Sequence, residues 1–336
     1  MVGAAVTRAR VLIICAPLAG CTGVQSPLAP AGDQASALSS LFALMLWVCG
    51  IVYVIVLAGI AWALWRTWRR SSAAPSGSGG DESPDRVLTR TLPVAAGAIV
   101  AGLTVLIVGS FWADRALFAT RGAPALMVRV TGHQWWWRIQ YHDPATGAWI
   151  ETANELHLPM GTTTRVSLGS ADVIHSFWVP NVAGKLDMIP GRRNLIDLTP
   201  RREGWFRGQC TEFCGTQHAH MAFDVKVESP AAFQTWLAMQ AAPARRSADR
   251  GARLFAGPCA ACHVVRGTGA GGRAGPDLTH VAARQSIAAG TLAMTRGNLQ
   301  GWIIQPQALK PGTSMPAVPL TPADANAVAD YLASLR

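Results

Sequence analysis

Two long uncharged stretches near the N-terminus constrain this chain more than any other feature. Ser39–Trp65 carries no charged side chain and exceeds the ~20 residues a helix needs to cross the hydrocarbon core of a bilayer. Thr91–Trp112 is a second such stretch, with Pro93 in its expected first turn, where the missing N–H is harmless. Trp62, Trp65, Trp68 and Trp112 stand near the ends, where amphipathic rings favour the membrane–water interface. The intervening linker is rich in Ser, Gly and Pro and carries Arg66, Arg69, Arg70, Arg86 and Arg90. Positive linkers stay on the cytoplasmic side, so everything after Trp112 is expected to face outward. A transmembrane helical hairpin over residues 39–120 accounts for the apolar excess, 50% hydrophobic against 14% charged residues.

Upstream, TRARVLIICAPLAGC (Thr7–Cys21) has an arginine-bearing start, a short apolar core and small residues at its end. That is a secretory signal pattern, too short to span a bilayer. Leu18-Ala19-Gly20-Cys21 resembles a bacterial lipobox, which implies cleavage before Cys21 and lipidation of it. Ordinary signal cleavage, or an uncleaved leader, is the alternative. The expected organisation is a signal peptide (1–20), a tether (21–38), the hairpin (39–120) and two outward domains, 121–240 and 241–336.

The formal charge of +10 comes from 26 arginines and three lysines set against 19 acidic residues. Basic charge can signal nucleic acid or a membrane surface, and no nucleic-acid motif accompanies it here. Residues 121–240 are nearly balanced, whereas 241–336 hold 10 basic and 4 acidic side chains, an excess suited to an acidic docking partner. Of the seven cysteines, Cys15 and Cys21 lie in the leader and Cys49 in an apolar span. The other four form two close pairs, each beside histidine, which is ligand spacing rather than a disulfide framework.

From Ala125 to about Glu228 the pattern is β-rich. ALMVRVTGHQWWWRIQY, ELHLPMGTTTRVSLGS and NLIDLTP alternate between Gly, Pro and Asn turns, and a β-sandwich is the economical reading. Within it lie ADVIHSFWVP (Ala171–Pro180) and GQCTEFCGTQHAHM (Gly208–Met221). Together they supply two thiols (Cys210, Cys214), two imidazoles (His175, His218) and a thioether (Met221). An oxidising compartment permits a disulfide, which explains neither histidine nor the methionine. Zinc accepts Cys2His2 but has no use for Met221. Copper takes sulfur with imidazole and an axial methionine, and blue-copper sites likewise draw one histidine from a distant loop. A second cysteine adds enough bridging sulfur for two coppers.

HSFWVP, AGKLDMIPGR and GQCTEFCGTQHAHM resemble the CuA domain of cytochrome c oxidase subunit II, over roughly residues 39–240. The resemblance implies a cupredoxin-like sandwich in which Cys210 and Cys214 bridge two coppers. His175 and Met221 would complete one ion; His218 and the backbone carbonyl of Glu212 would complete the other. It also implies that the Glu212 side chain is a candidate ligand of a magnesium shared with subunit I. His220 matches no family ligand. In GHQWWWRIQY, which resembles the family's aromatic stretch, a strand would turn Trp135 and Trp137 one way and Trp136 the other; the resemblance implies that the family's electron-entry tryptophan falls on Trp135.

A helical stretch and the linker AAPARRSADR lead to RLFAGPCAACHVV (Arg253–Val265), where Cys259-Ala-Ala-Cys262-His263 is the c-type haem attachment pattern. The expected second axial ligand is Met315, in the Pro/Gly-rich LKPGTSMPAVP, rather than Met294; His/Met ligation raises haem potential. GPDL (Gly275–Leu278) resembles the loop of small cytochromes c whose proline carbonyl orients the proximal histidine. In the last segment Thr321 is an N-cap, Pro322 opens a helix, and Val328, Tyr331, Leu332 and Leu335 form an apolar stripe. Residues 247–336 resemble an all-α class I cytochrome c.

The combination resembles subunit II of a caa3-type cytochrome c oxidase. That implies electron transfer from a cytochrome c or other donor, through haem c and CuA, to the haems of subunit I, with subunit III as a further partner and membrane lipid around the hairpin. Oxygen reduction and proton translocation belong to the whole oxidoreductase, and no catalytic residue is expected in this chain. Two other readings are a CuA subunit of a nitric oxide reductase and a copper-handling assembly lipoprotein.

Overall fold

A computed structural model describes residues 22–71, 84–118, 124–143 and 146–336. The signal pattern, Cys21 and linker residues 72–83 lie outside the described residues. Two helices come first, α1 (Asp33–Ser71) and α2 (Pro84–Phe118). At ~1.5 Å per residue each is longer than the ~30 Å hydrocarbon core, and the spans Asp33–Arg69 and Thr89–Arg115 are apolar enough to cross a membrane. Large apolar side chains such as Trp47, Ile55, Val94 and Ile107 are exposed along both. Gly102 lies against Val48 and Gly109 against Leu44, so the helices run antiparallel, with small residues admitting the neighbour's side chains. Helix α2 starts earlier than its apolar stretch, and Pro93 is interior rather than in the first turn. An interior proline forgoes one backbone hydrogen bond, which membrane helices tolerate.

Among the described residues, 36–71 and 84–118 form one compact unit; 22–35 and those from 124 onward form the other. Ten strands build a sandwich of two five-stranded sheets. One has the order β3 (Trp149–Ala153), β2 (Trp136–His142), β1 (Leu126–His133), β5 (Thr164–Ser170), β8 (Asn194–Leu198). The second runs β4 (Glu155–Pro159), β10 (Ala222–Glu228), β9 (Gly204–Cys210), β6 (His175–Trp178), β7 (Leu186–Met188). Strands β1 and β5 are parallel, as are β10 and β4; the other neighbours are antiparallel.

Alternation explains the packing. In β1, Leu126, Val128 and Val130 point inward, and in β2 Trp137, Ile139 and Tyr141 do. They meet Phe177 and Phe223, with the Trp137 ring 5.0 Å from Phe223 and tilted by 60°. Residues 22–33 strap onto this sandwich: Asn181 Nδ2 donates to the carbonyls of Gly23 and Ala29, and Arg201 pairs with Asp33 at 2.7 Å.

Helix α3 (Pro230–Ala241), capped by Ser229, closes one edge of the sandwich through Phe233 and Leu237. The C-terminal domain follows with α4 (Arg250–Phe255), α5 (Arg296–Ile304), α6 (Pro306–Leu309) and α7 (Pro322–Ser334). Thr321 Oγ1 accepts from the Asp324 N–H, and Val328, Tyr331 and Leu332 are buried; Leu335, just past the helix, is buried as well. The Phe255 and Tyr331 rings, 5.6 Å apart, lock α4 to α7. Besides helices, this domain holds a hairpin of β11 (Ser286–Ile287) and β12 (Leu292–Ala293), too short to leave a period in the sequence.

Candidate metal centre

The register of two neighbouring strands assembles the centre. On β6, His175 and Phe177 share one face, and Phe177 stands opposite Cys210, the last residue of β9. His175 and Cys210 therefore point to the same inner space, although 35 residues separate them. From Cys210 the chain leaves the sheet in a loop that returns at Met221, whose carbonyl accepts from the Cys210 N–H at 2.9 Å. The 3₁₀ turn His218–His220 lies within this loop. Strand β1 passes close behind: a Cβ on Gly132 would stand 2.8 Å from the His175 ring, so only glycine lets the imidazole lie there.

Six donors converge. Cys210 and Cys214 Sγ are 3.8 Å apart, His175 Nδ1 is 3.8 Å from Cys210, and His218 Nδ1 is 3.6 Å from Cys214. Met221 Sδ lies 3.8 Å from Cys214 and the Glu212 carbonyl 3.2 Å from Cys210. His175, Cys210 and Cys214 are buried and near enough to share an ion. A disulfide needs sulfurs ~2.05 Å apart, and both cysteines are free. Two sulfurs about 2.3 Å from one tetrahedral ion would sit about 3.8 Å apart, so the pair fits metal. Hydrogen bonding to Cys214, then to His175 and to the backbone, holds the Cys210 thiol well below its ordinary value despite burial. The same pairing, with burial, pushes Cys214 up.

Asp172 and Gln134, which no motif in the sequence marks, join Trp135 in holding these donors. Asp172 Oδ1 accepts from His175 Nε2 at 2.8 Å, which aims Nδ1 at the sulfurs. Burial works against the Asp172 carboxylate, but hydrogen bonds from His175 and from the Gln134 and Val173 amides keep it below the usual range. The Cys214 carbonyl accepts from Gln134 Nε2 at 2.8 Å and from the Trp135 indole at 2.9 Å. Trp135 itself lies in the turn between β1 and β2, not in a strand, so strict alternation does not set its direction. It is buried, as Trp137 is, while Trp136 is half-exposed and stacks on His133. His220, exposed, makes a side-chain contact with Gln217 rather than with the sulfurs. The Glu212 side chain is exposed, and next to it Phe213 is 76% exposed.

A cavity adjoins the centre. Cys259, Cys262, His263 and Met315 all line it, as do Trp135 and Arg284; Met294 instead packs against the apolar core. His263 Nδ1 donates to the Pro276 carbonyl at 2.9 Å. Gly275 makes room for that ring, since a Cβ there would stand 2.6 Å from His263 Cε1. Arg284 is buried, with its Nη2 donating to the Asp277 carbonyl and its Nε unpartnered. Lys310, 2% exposed, donates from Nζ to the carbonyls of Trp135 (2.8 Å), His220 (2.8 Å) and Ala288 (3.0 Å). Burial pushes its ammonium down to about 7; the three carbonyls work the other way by satisfying its charged form.

Residues 144–228 match the family described as cytochrome c oxidase subunit II, periplasmic domain, and residues 248–336 match the cytochrome c family. Cytochrome c oxidase subunit 2 of Alkalihalophilus pseudofirmus is 34% identical over 273 residues, covering 77% of each chain. The chain belongs to the cytochrome c oxidase subunit 2 family. The Bacillus subtilis subunit 2 is 32% identical over 228 residues, 63% of each chain. The crystal structure of the periplasmic domain of subunit II from Bradyrhizobium japonicum is 32% identical and covers 35% of this chain and 95% of that one, at a TM-score of 0.33. This family member thus joins an oxidase subunit 2 to a cytochrome c domain. The first part implies CuA copper and the second implies haem, and the two groups of side chains above have the donor chemistry for each.

Proposed function

We propose that the chain relays electrons, one at a time, within a haem–copper terminal oxidase. It would take them from a cytochrome c-type donor and deliver them to the haems of subunit I, where oxygen is reduced to water. The observation that carries this reading is the six-donor cluster standing beside the Cys-Cys-His-Met cavity in one unit of the fold. Cys210 and Cys214 would bridge two coppers. Each sulfur has one further donor for each ion: His175 and Glu212 O beside Cys210, Met221 and His218 beside Cys214. Such a pair supplies a one-electron centre whose shared charge limits change of geometry.

In the neighbouring cavity Cys259 and Cys262 would attach haem covalently, with His263 and Met315 as axial ligands. The Pro276 carbonyl fixes the His263 ring by its Nδ1 and leaves Nε2 for iron. Arg284 would meet a haem carboxylate. Trp135 stands between cavity and sulfurs and is the residue through which electrons reach the copper site. The exposed Glu212 carboxylate would reach a magnesium at the subunit I contact. The two apolar helices would anchor the chain in the bacterial cell membrane beside subunits I and III, with both redox domains on the outer face. Export by a leader (1–20) cleaved before Cys21, with Cys21 then lipidated, belongs to the same reading.

The test is purification of the complex with metal analysis, optical spectroscopy and oxygen uptake. Cys214→Ser should abolish the purple and near-infrared absorption of a mixed-valence copper pair and leave the haem spectrum intact. Survival of that absorption would overturn the ligand assignment, and nitric oxide consumption without oxygen uptake would overturn the oxidase reading.

A further inference from the structure

Lys310 has no part in the metal or haem ligation above, yet it is among the largest fully buried side chains of the chain. It leaves the end of α6 in the segment that leads to Met315. Its three hydrogen bonds tie three separate segments: the β1–β2 turn at Trp135, the metal-site loop at His220, and the β11–β12 hairpin at Ala288. The first two belong to the sandwich and the third to the C-terminal domain. An ammonium has three N–H donors splayed around a point, whereas a guanidinium is a flat fork. This chain uses arginine for 26 of its 29 basic residues and places a lysine where three carbonyls converge.

The joint around Lys310 is built to the same end. Gln217 Nε2 donates to the Pro311 carbonyl at 2.7 Å, and the Ala222 N–H to the Ala289 carbonyl at 3.0 Å. The Gln285 N–H donates to Glu155 at 2.6 Å, and Ser286 Oγ to Asp224. At the hairpin tip Ala288 and Ala289 have φ of 53° and 57°, followed by Gly290 at 74°. Two successive alanines in the left-handed region are unfavourable by themselves and persist where surroundings over-determine them; Ala289 is buried. Trp135, whose carbonyl Lys310 holds, has its indole on the Cys214 carbonyl and also lines the cavity with His263.

We propose that Lys310 is a positioning residue that clamps the C-terminal domain onto the metal-site loop, holding the haem cavity and the Cys210–Cys214 pair at one fixed separation with Trp135 between them. The consequence for electron transfer rests on the function proposed above, because tunnelling falls exponentially with distance; the clamp itself does not.

The experiment is Lys310→Met in the full chain within the purified complex. Hydrogen exchange of the Ala222 and Gln285 amides, which donate across the joint, should accelerate about tenfold or more when a charged hydrogen-bonding group is lost from a buried joint. The rate of transfer of one electron from haem iron to the copper pair should fall as well, and become sensitive to solvent viscosity, with both optical spectra intact. Unchanged exchange in the variant overturns the clamp. Should the variant fail to accumulate, the unsubstituted protein decides: a viscosity-dependent rate, or Ala222 exchanging as fast as exposed loops, overturns the clamp too. Absence of copper or haem absorption in the unsubstituted complex would overturn the functional reading instead, and exchange would still judge the clamp.

Discussion

Asp172 determines which nitrogen of His175 faces the sulfurs. A free imidazole presents either nitrogen, and a ring that offered Nε2 would direct its lone pair elsewhere. By accepting from Nε2 at 2.8 Å, with its own second oxygen tied to the Gln134 amide at 2.7 Å, Asp172 removes that freedom. Partners of this kind are typically worth about 10–100-fold in metal affinity. Asp172→Asn should therefore weaken copper binding by a factor in that range, read by competition with a chelator. Unchanged affinity would mean that the crowding by Gly132 alone orients the ring. His220 shows the opposite relation between appearance and role. It is the most conspicuous extra donor in its run, but its side chain turns to Gln217 and its carbonyl is what the joint uses.

At the scale of elements, the centre depends on three strands and a loop rather than on the loop alone. Strands β6 and β9 fix His175 and Cys210 by register, and β1 sets the depth at which the imidazole rests. Gly132→Ala should push a methyl group into that ring and cost about 1–3 kcal/mol, the usual penalty of overpacking. Denaturant unfolding of the full chain measures it, and copper content should drop in parallel. A stability loss with full copper content would show that β1 yields and the histidine does not. The same logic separates Met315 from Met294 in the C-terminal domain. Both are half-buried, but the loop after α6 turns Met315 into the cavity while Met294 adjoins the core.

For the whole molecule, the joint between the sandwich and the C-terminal domain also has an electrostatic component. His157 lies between Glu155 and Glu228, 3.0 and 2.7 Å away, stacked on Trp236 at 3.9 Å, and Glu155 also receives the Gln285 amide of the other domain. Burial alone would lower the His157 pKa, but hydrogen bonds to both carboxylates raise it above its ordinary 6.5. A folded-state pKa above the unfolded one means stability that is fully present below 6.5 and is lost as pH rises through the raised value. The melting temperature of these two domains should accordingly fall over that interval, and His157→Gln should flatten the fall. A pH profile identical in the variant would place the effect elsewhere.

Much of this architecture was legible in the sequence. The uncharged spans, the alternating strands and the apolar stripe of α7 are local, because a bilayer, a sheet and a helix each impose a short period or length. The six metal-site donors were legible through resemblance, and the structure brings them together. The sequence alone also marks Met315, by the prolines and glycine around it. What only tertiary structure decided are contacts between segments far apart in the chain: Asp172 on a ligand already recognised, Trp135 in a turn instead of a strand, and Lys310 across two domains. A lysine in a Pro/Gly loop reads as solvated surface, because nothing within hydrogen-bonding reach along the chain announces three carbonyls that arrive from Trp135, His220 and Ala288 only when both domains have folded and met.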